Sequence, residues 1–147
     1  MLANGIKIFY TTCHPDAQVP TYERDGDCAC SLRVVEDYKV YPGKRVLART
    51  GLKIALEGGF EAQIRPRSGL AWKKGLTVIN TPGTIDEGYR GEIMVALINL
   101  GEEPVVINKG DAVAQMKFSP VYRGYFLKTD SLDDTDRGVG GFGHTGR

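Results

Sequence analysis

Turn-forming residues recur so closely along this chain that little room is left for helices. Pro42-Gly43, Gly58-Gly59, Pro82-Gly83, Gly101-Glu102-Glu103-Pro104 and Lys109-Gly110-Asp111 each interrupt an apolar or alternating segment. Glycine supplies a positive φ and proline fixes φ near the turn value, so such pairs mark reversals of the chain. The segments between them are of strand length: "IKIFY", "CSLRVV", "YKVY", "RVLART", "LKIAL", "EAQIRP", "LTVIN", "EIMVALINL", "PVVINKG", "AVAQMKF" and "GYFLK". Many short strands at regular spacing predict an all-β sandwich, jelly roll or barrel. Only residues 68–75 read as a short helical turn.

One strand stands apart. Residues 93–100 are apolar almost throughout, which implies burial on both faces. In a chain of 147 residues, the second face is expected to pack against another subunit. The composition, 41% hydrophobic and 25% charged, is that of one ordinary soluble domain. With 19 basic against 18 acidic residues, a general nucleic-acid surface is not expected. A small anionic ligand needs only a few cations in one place and remains compatible. The N-terminus has no long apolar stretch of the signal-peptide kind, and "IMVALI" is too short to span a bilayer. Three cysteines without a secretory signal favour a reducing compartment, so a cytoplasmic location is expected. Cys28 and Cys30 read as one face of a strand. With only Cys13 and His14 as nearby soft ligands, small core residues are preferred to a zinc site.

The end of the chain changes character. From Thr129 it turns acidic, hydroxyl-bearing and glycine-rich, and in "RGVGGFGHTG" five of ten residues are glycine. Glycine loses the most conformational freedom on ordering, so this segment reads either as a disordered tail or as an arm that wraps a ligand. Free amides and Arg137 suit anions, and Phe142 suits a flat ring. The folded body is accordingly expected over residues 1–128 and the arm over residues 129–147.

Three segments could carry chemistry. In "RPRSGLAWKKG", Arg67, the Ser68 hydroxyl and the amides of Ser68 and Gly69 converge at a helix start, a natural phosphate site; the alternative is an exposed basic loop. "NTPGTIDEGYRGE" reads as a hairpin over residues 80–92. Asp86, between Ile85 and a Glu-Gly pair, is expected to be partly sheltered. It is either a proton acceptor for an attacking water or a turn-capping aspartate. Asn80 and the hairpin backbone could read the edge of a flat heterocycle, and Tyr89 is either a plate under a sugar or a core ring. In "KGDAVAQMKF", Gln115 is polar in an apolar strand and needs a partner, a ligand phosphate or a neighbouring backbone.

Over residues 20–146 the sequence resembles the homotrimeric deoxyuridine triphosphatases (dUTPases). "PRSGLA", "GTIDEGYRGE", "KGDAVAQ" and "RGVGGFGHTG" are similar to four of that family's five signature motifs, in order and spacing. The resemblance implies a jelly-roll-like distorted β-barrel and a homotrimer with a swapped C-terminal arm. Each of its three active sites would draw on all three chains. It implies hydrolysis of dUTP to dUMP and pyrophosphate with Mg²⁺, which limits uracil incorporation into DNA and supplies dUMP for thymidylate synthesis.

Residue roles follow by position. Asp86 matches the aspartate that orients and deprotonates the water attacking the α-phosphorus. Arg67, Ser68 and Gly69 match the phosphate loop, with Gln115 assisting. Asn80 and the backbone of Gly83, Thr84, Ile85 and Asp86 match the uracil-reading hairpin. Tyr89 matches the tyrosine under the deoxyribose that excludes a 2′-hydroxyl, and Met94 falls at another substrate-lining position. Phe142 would stack on uracil, while Arg137, Gly143, His144 and Thr145 would address the phosphates. Stacking is worth about 1–3 kcal/mol and ordering each arm residue costs about 1–2 kcal/mol, so phosphate contacts must help hold the arm. It is therefore expected closed with triphosphate and open with dUMP.

The first family motif is usually Ala-Gly-x-Asp-Leu; here "CACSLRV" places Ser31 at the aspartate position. Asp27 fits only after a four-residue shift of register. Ser31 would reach the magnesium's water shell only weakly, with the ion held mainly by substrate phosphates, as Mg²⁺ commonly is. Weaker Mg²⁺ affinity is expected. Two other readings share the fold: a dCTP deaminase, which the hairpin and arm resemble poorly, and a regulator that binds nucleotide without hydrolysis. A regulatory protein partner could also coexist with activity.

Overall fold

The computed structural model describes residues 5–141. Eleven short strands and one short helix follow in the order β1 (Ile8–Thr12), β2 (Cys30–Arg33), β3 (Tyr38–Val40), β4 (Arg45–Arg49), β5 (Leu52–Leu56), β6 (Phe60–Pro66), α1 (Ser68–Lys74), β7 (Leu76–Val78), β8 (Gly83–Ile85), β9 (Met94–Asn99), β10 (Val105–Ile107) and β11 (Ala112–Pro120). Every pairing is antiparallel. A four-stranded sheet runs β2-β11-β6-β8, a three-stranded sheet β4-β9-β7, and two ribbons join β1 to β5 and β3 to β10. The all-β architecture expected from the turn spacing is what the chain adopts, in the jelly-roll-like form that the resemblance implies.

The core forms where alternation places it. In β5, Leu52, Ile54 and Leu56 point inward and Lys53 and Ala55 do not. In β9, Val95, Leu97 and Asn99 are buried while Met94 is exposed and Ala96 and Ile98 are half-covered. Full burial of both faces of β9 is therefore not met within one chain. The second face stays partly open, continued by Leu47 opposite Ala96 on β4 and by exposed Leu100. Asn99 is the fully buried polar residue of this strand. Its amide donates to the carbonyls of Val40 and Glu103 at 2.9 and 2.8 Å, and its oxygen accepts the Gly101 amide at 2.8 Å. Those bonds offset the desolvation of the amide group.

Three local expectations are corrected. Cys28 lies outside the strand and is exposed, whereas Cys30 opens β2 in the core; the backbone reaches extended geometry only after the bend at Cys28, so the two do not share a face. The turn at residues 79–82 does not close a hairpin: β7 pairs with β9 and β8 with β6, so the turn carries the chain from one sheet to the other. "GYFLK" forms no strand. Beyond Pro120 the chain has no regular structure through Lys128, and Tyr125, Phe126 and Leu127 are almost wholly exposed, so among the described residues nothing pairs with them.

Candidate active site

β6 delivers the basic loop. Pro66 ends the strand opposite Ala114 of β11, and Arg67 stays extended as the residue before α1. No side chain caps the first turn of α1, which leaves its leading amides available. At the other end Gly75 turns left-handed at φ +68° and its amide bonds back to Ala71 and Leu70. A Cβ on Gly75 would overlap the backbone of Gly101.

A cavity of about 810 Å³ opens beside this loop, lined by Ser31, Arg67, Ser68, Gly69 and Gln115 among others. Two hydrogen bonds set its wall. Arg67 donates from Nη1 to the Ser31 hydroxyl at 2.8 Å, and Gln115 donates from Nε2 to the Pro66 carbonyl at 3.0 Å. Ser31 is buried and lies opposite Gln115 in the β2–β11 register, so both struts spring from neighbouring positions. A side chain at Gly69 would meet nothing within 4 Å. Glycine inside a helix costs about 0.5–1 kcal/mol relative to alanine, and here the chain's own packing does not require it. Arg33, Lys73 and Lys74 share the cavity. Asp27 also faces it, its carboxylate accepting the Arg24 amide at 3.0 Å to close a turn.

The residues of the 80–92 segment lie elsewhere. Gly83 is buried beneath Asn80, whose Nδ2 would be 3.2 Å from a Cβ at Gly83. Thr84 is exposed and Ile85 half-buried. Asp86 is exposed, contrary to the sheltered setting expected of it. Glu87, the next residue, turns back and accepts the Gly59 amide at 2.6 Å, while Asp86 faces solvent. The Asp86 carbonyl accepts the Tyr89 amide at 3.0 Å. Tyr89 is 40% exposed and its hydroxyl donates to the Glu92 carbonyl at 3.0 Å. Burial works against ionisation of Glu92, but hydrogen bonds from Arg49 and the Gly51 amide prevail and hold its carboxyl below the ordinary glutamate value. Burial pushes the Cys30 thiol up, which disfavours a thiolate there.

Within one chain the expected site residues fall into two groups. Ser31, Arg67, Ser68, Gly69 and Gln115 line the cavity; Asn80, Gly83, Asp86, Tyr89 and Met94 do not. Arg137 is exposed in a turn, bonded from Nε to the Gly140 carbonyl at 3.2 Å, and is not at the cavity either. Phe142, Gly143, His144 and Thr145 lie outside the described residues. Arg33, Lys73 and Lys74 are cavity cations that motif reading missed. Lys74 follows Arg67 by seven residues, two helical turns, and that spacing was a usable signal.

The sequence model of the dUTPase family matches residues 15–146. The chain belongs to the dUTPase family. Among curated relatives, the deoxyuridine 5'-triphosphate nucleotidohydrolase of Wolinella succinogenes is 50% identical over 142 residues, covering 97% of this chain and 95% of the relative. That of Alkaliphilus metalliredigens is 53% identical over 130 residues, covering 88% and 90%. Among solved structures, a Staphylococcus bacteriophage 80alpha dUTPase with dUpNHpp superposes with a TM-score of 0.85 at 18% identity, covering 96% of this chain and 99% of the other. A dUTPase from phage phi11 of S. aureus, described with a structural Mg(II) ion, gives 0.79 at 17% identity, covering 86% and 98%. At these identities the two phage structures speak for the fold of this dUTPase and not for its ligands.

Proposed function

We propose that this dUTPase hydrolyses dUTP to dUMP and pyrophosphate as a Mg²⁺-dependent homotrimer. The observation that carries the reading is the convergence of Arg67, Ser68, Gly69 and Gln115 on one cavity that residues 80–92 of the same chain do not line. A second copy must bring Asp86 and Tyr89 to it. The partly open face of β9 and the uncovered Tyr125-Phe126-Leu127 segment support such an assembly. Residues 1–128 would form the body and residues 129–147 an arm reaching over a neighbouring site.

The cavity residues bind the triphosphate, Arg67 as a fork and the α1 amides as directed donors. The hairpin backbone with Asn80 reads the uracil edge, and Tyr89 packs against the deoxyribose. Met94, exposed at the start of β9, would line the substrate as well. Asp86 orients a water and accepts its proton as the water oxygen bonds to the α-phosphorus. The bond from the α-phosphorus to the oxygen that bridges it to the β-phosphorus then breaks, and pyrophosphate leaves with that oxygen. Arg137, Gly143, His144 and Thr145 would close on the phosphates and Phe142 on the base.

Mg²⁺ fits this donor set in one way. Among the described residues no cluster of three histidine, cysteine, aspartate or glutamate side chains is poised to hold a metal, and the cavity carries several cations. The ion would be held through substrate phosphates, with Ser31 touching its shell through a water. Bound there, it supplies charge neutralisation on the triphosphate. Among the described residues no helix is long and apolar enough to cross a membrane, and a cytoplasmic location is part of the proposal.

The test is pyrophosphate release from dUTP, dCTP, UTP and dTTP, each with and without Mg²⁺. Release from dUTP alone, requiring Mg²⁺, is expected. Ammonia from dCTP would indicate a deaminase, and dUTP binding without turnover a regulator.

A further inference from the structure

Between β3 and the segment that leads into β9 runs a set of charged side chains that the phosphate cavity does not use. Its centre is Arg49, the last residue of β4, opposite Met94 of β9. Arg49 donates from Nε to both carboxylate oxygens of Glu92 at 3.2 and 3.1 Å, and Nη2 lies 3.1 Å from the same group. Nη1 donates to Glu36 at 3.1 Å. Tyr38 closes the ring: its hydroxyl donates to the other Glu36 oxygen at 3.0 Å and accepts the Arg49 amide at 2.9 Å.

Glu92 faces two ways. Its carboxylate also accepts the Gly51 amide at 2.8 Å, and its backbone carbonyl accepts the Tyr89 hydroxyl at 3.0 Å. The next residue, Ile93, is wholly buried. The Ile93 amide donates to the Leu52 carbonyl at 2.8 Å, and its own carbonyl accepts the Thr50 hydroxyl at 2.5 Å. Glu92 and Ile93, at the entrance to β9, are thereby fixed to residues 49–52, and Tyr89 is tied to that entrance. Gly91 leaves the room, since a Cβ there would overlap the Tyr89 hydroxyl.

The Arg49 and Glu36 side chains are 37% and 42% exposed, and an ion pair that exposed contributes little to stability. Glu92 is only 14% exposed, so its pairing with Arg49 also keeps a sheltered carboxylate satisfied. What a bidentate guanidinium supplies is direction: two carboxylates held at set angles, which a lysine cannot reproduce. The direction is passed to one backbone carbonyl, and that carbonyl holds one phenol.

We propose that Arg49 is a positioning residue for sugar discrimination, acting through Glu92 to hold the Tyr89 ring against which the deoxyribose packs. The inference rests on the reading of Tyr89 as the sugar-facing ring. Arg49 itself touches no substrate. It sets the height and tilt of the ring, and UTP differs from dUTP by a single hydroxyl at that ring.

The experiment measures kcat/KM for dUTP and for UTP, with thermal unfolding, on the full chain and on Arg49→Met, Glu36→Ala, Tyr89→Phe and Tyr89→Ala. Arg49→Met is expected to lower the dUTP-to-UTP ratio about ten- to a hundredfold, the scale of a small misplacement of a positioned group. Tyr89→Phe should lower it similarly. The double variant should be no worse than Tyr89→Phe, because both changes cut the same connection. A folded Arg49→Met that keeps the parent ratio, while Tyr89→Ala loses it, overturns the proposal and leaves the Tyr89 reading standing. If Tyr89→Ala also keeps the ratio, that reading falls and the proposal with it. Should Arg49→Met fail to fold, an unchanged ratio in both Glu36→Ala and Tyr89→Phe overturns the proposal equally.

Discussion

On the reading that places Ser31 at the aspartate position of the family's first motif, a neutral hydroxyl stands there, and its oxygen is already 2.8 Å from an Arg67 nitrogen. A carboxylate in that buried place would gain a charged partner and a stronger hold on the water shell of a bound cation. Ser31→Asp is therefore expected to lower the Mg²⁺ concentration that half-saturates dUTP turnover, read from a Mg²⁺ titration. An unchanged titration would remove Ser31 from the metal's surroundings. Asp86 makes a sharper case. Asp86→Asn keeps the shape of the turn but has no basic oxygen to take a proton, so kcat should fall about 10²- to 10⁴-fold. Binding of a non-hydrolysable dUTP analogue, followed calorimetrically, should be nearly retained. The side chains behind these predictions were legible in the sequence because each sits inside a short motif. The exposure of Asp86 was not, since it belongs to a turn in which Glu87 reaches Gly59 across 28 positions.

At the scale of elements, α1 depends on its ends more than on its middle. It has seven residues, none buried, so propensity alone would not sustain it. Gly75 terminates it in a left-handed turn against Gly101. Gly75→Ala adds a strained φ, costing about 1–2 kcal/mol, and an overlap with the Gly101 backbone. We expect a lower denaturation midpoint at fixed chain concentration, together with weaker phosphate binding, because α1 carries one wall of the cavity. Strands such as β5 and β9 were readable from alternation and apolar runs, which are local signals. That β8 pairs with β6 and not with β7 was not readable, because pairing is decided by contacts some twenty residues apart, Ile64 with Gly83 being one. "GYFLK" has strand composition and forms no strand in its own chain, since composition reports a need for a partner and not which chain provides it.

At the scale of the whole molecule, the two groups of site residues make a direct prediction. Arg67→Ala damages the cavity and Asp86→Asn damages the hairpin, so each variant alone should be nearly inactive. Unfolding the two together and refolding them should recover activity up to about a quarter of the parent, the share of sites that draw an intact cavity from one variant and an intact hairpin from the other in a symmetric assembly. Simple mixing of folded variants should recover it only as fast as subunits exchange. No recovery after joint refolding would mean that each chain completes its own site. The bare aromatic and leucine side chains at residues 122–127 have a bearing on the life of the protein before assembly. On a newly made single copy they form the kind of irregular, apolar stretch that chaperones and proteases engage. Under the proposed assembly, surplus copies without partners would be cleared and completed assemblies spared, so the supply of the enzyme would depend on how fast copies meet as well as on how fast they are made.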